Sequence, residues 1–391
     1  MHTRQLKQYL NKCVRCGQCR SVCPVFEVIK EEGAAPRGKV FISSMLLDGK
    51  LSHPGEAERH LSLCLQCRRC SDQCPSGVPV HRIISSARIK LSRPLKQSIL
   101  LDFILPSASI KQKAAQLLKT AGKWGLTDLA NKARMPLPGT KKTPHSKVSL
   151  ADTIPSGITS KGTVAYFPGC AATYILPGIA RACVNILSDH GWKVVIPQGL
   201  SCCGFPHTAA GSHKAKELRQ KNQEIISTIS TDTILTSCPS CNLALKETLA
   251  GQASPKDVVD ITEFLVENNM EFNKKSQPNF KIAYHRPCHE LTNYPRRLLE
   301  KLPGATIVPS KLESACCGGG GTFVLQHPSL SASILKPKIE AIKETGADIL
   351  ATTCPVCTMQ LMRGLKDSHV KVLHPLELRA KALTGPPYEK T

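Results

Sequence analysis

The chain has 391 residues, with 19 cysteines against 17 aromatic rings and 52 Lys and Arg against 29 Asp and Glu, a formal net charge of +23. A hydrophobic content of 41 % argues against wholesale disorder, and no segment approaches the roughly 18 apolar residues of a membrane-spanning helix. Met1 to Lys12 contains no apolar run of signal-peptide length, so the chain is expected in the cytoplasm, where a disulfide scaffold is disfavoured and abundant thiols point to metal.

The first cysteines, Cys13, Cys16, Cys19 and Cys23 followed by Pro24, spell C-x2-C-x2-C-x3-C-P, and Cys64, Cys67, Cys70, Cys74 and Pro75 repeat the string. This duplicated run is the pattern of a two-cluster ferredoxin, in which the fourth cysteine of each run serves the cluster held mainly by the other. One [4Fe-4S] cluster is expected on Cys13, Cys16, Cys19 and Cys74, and a second on Cys64, Cys67, Cys70 and Cys23. Zinc also accepts four thiolates at C-x2-C spacing, but it does not usually need a duplicated run closed by proline. Between the runs, Pro36 to Leu47 predicts a helix stopped by Gly49, and Val80 to Leu91 predicts another. Residues 1–95 thus read as a small α-helical domain packed on two clusters.

From Arg88 to Lys161 the chain carries 14 Lys and Arg against 3 Asp, so about half of the excess charge falls here. Residues 96–160 read as a linker: apolar Ile99 to Leu105, an amphipathic helix within Lys111 to Lys123, and a Pro-, Lys- and Ser-rich tether over Pro136 to Ser160. Such a surface suits an anionic membrane face or an acidic partner, or is simply a solvated arm. No paired-histidine finger, RNP-like aromatic string or arginine stripe supports nucleic acid as the partner.

Beyond Lys161 the sequence duplicates. Val164 to Cys170 matches Ile282 to Cys288, Ser201-Cys-Cys-Gly204 matches Ala315-Cys-Cys-Gly318, and Cys238-Pro-Ser-Cys241 matches Cys354-Pro-Val-Cys357. Residues 161–275 and 276–391 therefore read as two α/β domains. In the first, strands are predicted at Thr163 to Phe167, Trp192 to Ile196 and Thr233 to Ser237, with helices at Ile175 to Asp189 and His213 to Ile229. In the second, strands fall at Lys281 to His285, Ala305 to Val308 and Asp348 to Thr352, with helices at Tyr294 to Leu302 and Pro328 to Thr345. Alternation of this kind implies Rossmann-like parallel sheets with ligands at the carboxyl ends of the strands, where all three cysteine motifs of each repeat fall.

Each repeat thus gathers five thiols: Cys170, Cys202, Cys203, Cys238 and Cys241, then Cys288, Cys316, Cys317, Cys354 and Cys357. Five is one more than a cubane needs. Either one thiol is spare, or the cluster is not a simple cube; zinc and a redox thiol pair are the alternatives. Turning both neighbours of a Cys-Cys pair to one centre requires a bend helped by the following glycine. The run Gly318 to Gly321 lacks the dinucleotide pattern and reads as backbone clearance beside a cluster. Cys183 reads as a buried core residue, and His207, His285 and His289, near the cysteines, as satisfied structural histidines, with tuning or ligation of a cluster as the alternative.

A two-cluster ferredoxin domain joined to two such repeats resembles the iron–sulfur subunits of glycolate oxidase and D-lactate dehydrogenase, the CCG-domain family. The likeness includes Pro36-Arg-Gly-Lys39, Cys64-Leu-Gln-Cys-Arg-Arg-Cys70 and Cys74-Pro-Ser-Gly77 besides the repeats. The small subunit of anaerobic glycerol-3-phosphate dehydrogenase and the subunits of heterodisulfide reductase share these parts. The resemblance implies an oxidoreductase subunit that takes electrons from a separate FAD-binding subunit oxidising a 2-hydroxy acid, and passes them toward a quinone or another electron-transfer protein at the inner face of the cell membrane. It implies no catalytic residue on this chain, and carries noncubane [4Fe-4S] ligation onto the five cysteines of each repeat. Both repeats are complete, which points toward the lactate or heterodisulfide branch; the alternative function is reduction of a disulfide at such a cluster.

Overall fold

The computed structural model describes residues 3–51, 53–91, 158–200, 202–251, 256–270 and 279–384. Nearly all of the basic segment expected over 96–160, including its helix at Lys111 to Lys123, lies outside them. Among the described residues, no helix is long and apolar enough to cross a membrane.

The N-terminal domain is built from α1 (Thr3–Asn11), α2 (Pro24–Ile29), α3 (Pro36–Leu47), α4 (Pro54–Ser62), α5 (Arg69–Asp72) and α6 (Val80–Leu91). Pro36 opens α3 with the φ a first helical residue needs, and Gly49 (φ 70°) turns the chain away two residues after its end. Leu6, Val40, Leu61, Val80, Ile83 and Ile84 form one small core, on whose edge Cys13, Cys64, Cys70 and Cys74 rest. Gly38 is obligatory here, because a Cβ on it would lie 2.1 Å from the Glu32 carbonyl oxygen.

The first repeat runs β1 (Gly162–Phe167), α7 (Gly169–Tyr174), α8 (Pro177–Asp189), β2 (Trp192–Val195), α9 (Phe205–Ala210), α10 (Lys214–Ser227), β3 (Thr233–Thr236), α11 (Pro239–Leu249), β4 (Asp257–Asp260) and α12 (Ile261–Glu267). The second runs β5 (Phe280–Tyr284), α13 (Tyr294–Glu300), β6 (Ala305–Val308), α14 (Phe323–Gln326), α15 (Pro328–Glu344), β7 (Ile349–Ala351), α16 (Pro355–Gly364), β8 (Lys371–Leu373) and α17 (Pro375–Thr384). Both sheets are parallel, ordered β2-β1-β3-β4 and β6-β5-β7-β8, so each has a switch point beside its central strand. A fourth strand thus joins the three expected in each repeat. The helix expected over Ile175 to Asp189 begins only at Pro177: Leu176, restrained by the following proline, leaves the helical region at φ −123°, ψ 62°, and Tyr174 belongs to a separate short helix.

Successive strand residues face opposite sides. Val164 and Tyr166 of β1, with Ile282 and Tyr284 of β5, enter one apolar cluster together with Ile179, Cys183, Ile186 and Leu187 of α8 and Leu376 and Leu378 of α17. The two repeats therefore share a core, and Cys183 is wholly buried in it, as expected. Polar ties cross the same seam. His374 donates from Nε2 to the Ser237 carbonyl at 3.1 Å, and Arg379 donates to the Met270 carbonyl at 2.9 Å. On their other faces, Ala165 and Phe167 pack beside Cys203 and Cys241, and Ala283 packs in the cluster that contains Cys317, Cys354 and Cys357.

The N-terminal domain docks on both repeats, α2 against α15 and α6 against α9. The four-glycine run serves this seam. A Cβ on Gly320 would sit 2.4 Å from the Leu65 carbonyl oxygen, and one on Gly319 would sit 3.4 Å from Cys317 Sγ.

Candidate metal centres

In the N-terminal domain the two cysteine runs fold alike. Left-handed residues flank the second cysteine of each: Arg15 (φ 56°) and Gly17 (φ 89°) around Cys16, Gln66 (φ 58°) and Arg68 (φ 65°) around Cys67. This alternation turns backbone N–H groups toward the sulfurs, a concavity suited to an anionic centre. The Gln66 N–H lies 3.4 Å from Cys64 Sγ, and the Phe26 N–H lies 3.5 Å from Cys23 Sγ, which caps α2.

The two runs interlock. Cys13, Cys16, Cys19 and Cys74 line one recess, with Arg15, Gly17 and Arg37. Cys23, Cys64, Cys67 and Cys70 line another, with Lys39 and Arg68. Each recess thus takes its last cysteine from the opposite run. Cations are built in beneath the thiols. Arg37 donates to the Arg15 carbonyl at 3.0 Å and is held by Glu32 at 2.6 Å. Arg88 is half-buried and donates to the carbonyls of Leu61 (2.6 Å), Cys64 (2.7 Å) and Ala209, tying the second run to the first repeat.

Lys39 is 1 % exposed and donates to the Ala34 carbonyl. Burial pulls its ammonium below the ordinary value, while the thiols of Cys64 and Cys23 hold it up. Lys39→Met is therefore expected to lower the reduction potential of a centre on Cys23, Cys64, Cys67 and Cys70. Roughly 1–3 kcal/mol of attraction for the added electron is lost at an effective dielectric constant near 20. A potentiometric EPR titration measures this, and an unchanged potential would count against it.

In the repeats, Cys170 lies in α7, directly after β1. Cys238 and Cys354 precede α11 and α16, and Cys241 and Cys357 stand in their first turns, where the proline at the first helical position costs no hydrogen bond and the helix dipole favours thiolate. Gly204 (φ 81°) and Gly318 (φ 76°) supply the bend after each Cys-Cys pair; a Cβ on Gly318 would meet the Ser331 carbonyl oxygen at 2.8 Å.

The five thiols of each repeat form one string. Cys170 touches Cys202, Cys203 touches Cys241, and Cys241 touches Cys238. In the second repeat Cys288 touches Cys316, Cys317 Sγ is 3.5 Å from Cys357 Sγ, and Cys357 touches Cys354. Contact with Cys170, then with Cys203, pulls the Cys202 thiol below its ordinary value, while Cys202 pushes Cys170 well above it. Contact with Cys288, then with Cys67, lowers Cys316 in the same way. These buried and half-buried, mutually perturbed thiols fit a metal centre in each repeat.

Two further contacts were not legible in the sequence. Cys67 of the N-terminal domain touches both Cys288 and Cys316, and Cys238 of the first repeat touches Cys354 of the second. The second repeat thus has thiols against both the N-terminal domain and the first repeat. His289 braces this junction, bonding Ser240 Oγ at 2.8 Å and donating from Nε2 to the Gln66 carbonyl at 2.9 Å. It is the satisfied structural histidine expected; His285 is not, since its buried Nε2 has no hydrogen-bond partner.

A 4Fe-4S dicluster domain model matches residues 9–78, and a cysteine-rich domain model, CCG, matches residues 164–246 and 282–362. The chain is 27 % identical to a subunit of the fumarate reductase (CoM/CoB) of Methanothermobacter marburgensis, over 94 % of this chain and 71 % of that one. It is 26 % identical to the probable glycolate oxidase iron-sulfur subunit of Bacillus subtilis (95 % and 94 %), and 28 % identical to a subunit of the dihydromethanophenazine:CoB–CoM heterodisulfide reductase of Methanosarcina barkeri (96 % and 94 %). A crystal structure of a hypothetical protein from Helicobacter pylori shares the fold, with a TM-score of 0.56 at 11 % identity over 99 % of this chain and 74 % of that one.

Proposed function

We propose, from its matches to a 4Fe-4S dicluster domain and to the CCG cysteine-rich domain, that this chain is the electron-carrying subunit of an FAD-dependent 2-hydroxy-acid dehydrogenase. The observation that carries this reading is the continuity of its thiol groups. The recess of Cys23, Cys64, Cys67 and Cys70 touches the second repeat through Cys67, and the second repeat touches the first through Cys354 and Cys238. Iron–sulfur clusters on such cysteines supply one-electron carriers. In this reading Cys13, Cys16, Cys19 and Cys74 hold one [4Fe-4S] cluster, Cys23, Cys64, Cys67 and Cys70 the other, and the two five-cysteine strings hold further centres. The buried ammonium of Lys39 and the half-buried guanidinium of Arg88, with the buried Lys338 of α15 beside Cys317 and Cys357, offset the thiolate charge.

The flavin and the hydroxy acid, glycolate or D-lactate, belong to a partner subunit, and electrons leave toward a quinone or another carrier. The Bacillus subtilis relative, aligned over nearly its whole length, supports this choice. The Cys238–Cys354 contact favours a second reading, reduction of a disulfide where the two strings meet, in line with the name of the Methanosarcina barkeri relative.

Anaerobic purification of the native complex tests the choice. The expected result is a co-purifying FAD subunit and cluster reduction, seen by EPR, on addition of D-lactate or glycolate. Disulfide turnover by this chain without any response to hydroxy acid would replace the first reading with the second.

A further inference from the structure

The two repeats match motif on motif in sequence and strand for strand in sheet order, yet the residues behind their thiols differ. His285 stands three residues before Cys288, where the first repeat has Phe167 three residues before Cys170. Both are 1 % exposed. Phe167 packs among Cys203 and Cys241, so its ring fills apolar space. A ring nitrogen of His285 and the sulfurs of Cys317 and Cys357 instead all lie within 4.8 Å of one another.

The tautomer follows from the neighbours. His285 Nδ1 lies 3.3 Å from the Glu313 carbonyl oxygen, which only accepts, so Nδ1 carries the proton and Nε2 keeps its lone pair. Nε2 is buried without a partner. Unlike the partnerless ring nitrogens of His60 and His81, this one belongs to a ring grouped with two cysteine sulfurs, so a shared metal ion would satisfy it. One nitrogen donating to a backbone carbonyl while the other points free is the arrangement that orients a metal-bound imidazole.

The ammonium of Lys338 shares the Glu313 carbonyl with the ring. Lys338 is itself buried and donates to the carbonyls of Leu312 (2.5 Å), Glu313 (3.2 Å) and Ala315 (2.9 Å). The first repeat has the amide of Asn222 at the corresponding place on α10, bonded to the Cys202 carbonyl at 2.9 Å.

We propose that His285 Nε2 is a ligand of the metal centre of the second repeat, alongside Cys317 and Cys357, making that centre a mixed imidazole–thiolate site while the first repeat stays all-thiolate. Iron and zinc both accept this donor set, so the experiment addresses each.

The native full-length chain, purified anaerobically and reduced with dithionite, is measured by HYSCORE alongside His285→Phe, which installs the side chain that the first repeat already tolerates. The expected result is a directly bound ¹⁴N coupling in the wild type that is lost in the variant, while the signals of the N-terminal clusters persist and show that the fold is retained. If the second repeat carries zinc, X-ray absorption at the zinc edge is expected to show one nitrogen ligand replaced in the variant. A wild-type chain with no directly bound nitrogen on iron and an all-sulfur zinc shell would overturn the assignment, as would a second repeat that takes up no metal. These readouts need no partner or substrate, so they stand apart from the hydroxy-acid reading.

Discussion

Cys23→Ser is expected to remove about four iron atoms per chain, and the cluster it empties is the one on Cys64, Cys67 and Cys70 rather than the one nearest in sequence. The reason is the interlocking of the runs. Cys23 lines the recess of the second run, and Cys74 lines that of the first. Double variants make the prediction sharp. Adding Cys67→Ser to Cys23→Ser should cost no further iron, because both residues serve one cluster. Adding Cys16→Ser to Cys23→Ser should raise the loss to about eight, because it empties the second site as well. Iron and sulfide analysis reads these numbers directly, and the reverse pattern would mean that each run keeps its own cluster.

The second large effect comes from the middle of the thiol line. Cys317→Ser combined with Cys357→Ser removes the string that stands between Cys67 and Cys238. In the partner complex this variant is expected to lose hydroxy-acid-driven turnover to background. The N-terminal clusters and the first repeat should no longer exchange electrons, whichever end receives them. Cys203→Ser with Cys241→Ser damages only the far end, so the N-terminal clusters and the second repeat should still equilibrate. Rapid-freeze EPR distinguishes the two variants. Undiminished exchange between the N-terminal clusters and the first repeat in the middle variant would show that electrons bypass the second repeat.

Much of this arrangement could be read from local sequence. Cysteine spacing located the runs and the three motifs of each repeat, and alternating apolar stretches located β1, β2, β3, β5, β6 and β7 near their observed ends. The unread strands are β4 and β8: no cysteine motif follows either one to mark it, and both lie at a sheet edge, fixed only by pairing with β3 and β7. The break at Leu176–Pro177 was signalled by proline, but continuous apolar residues on both sides masked it. What lay beyond reach was long-range. No local pattern reports that Cys67 meets Cys288, that Cys238 meets Cys354, or that the Glu313 carbonyl occupies one nitrogen of His285 and leaves the other free. Gly320 was half legible: four glycines announce close approach, and only the fold shows that they approach Leu65.

The core common to Val164, Tyr166, Ile282 and Tyr284 has a bearing on how the duplicated halves behave. A tandem repeat in sequence suggests two modules that fold one at a time. Here each sheet turns the same apolar face to the other, so opening either half would wet the surface that stabilises its twin. The pair is in effect an internal dimer whose halves cannot dissociate, and its folding equilibrium belongs to both at once. Because whatever binds only the folded form stabilises it, a metal taken up by one repeat secures the geometry of the other. Assembly of the two centres is thereby cooperative, through the shared core as well as through the Cys238–Cys354 contact.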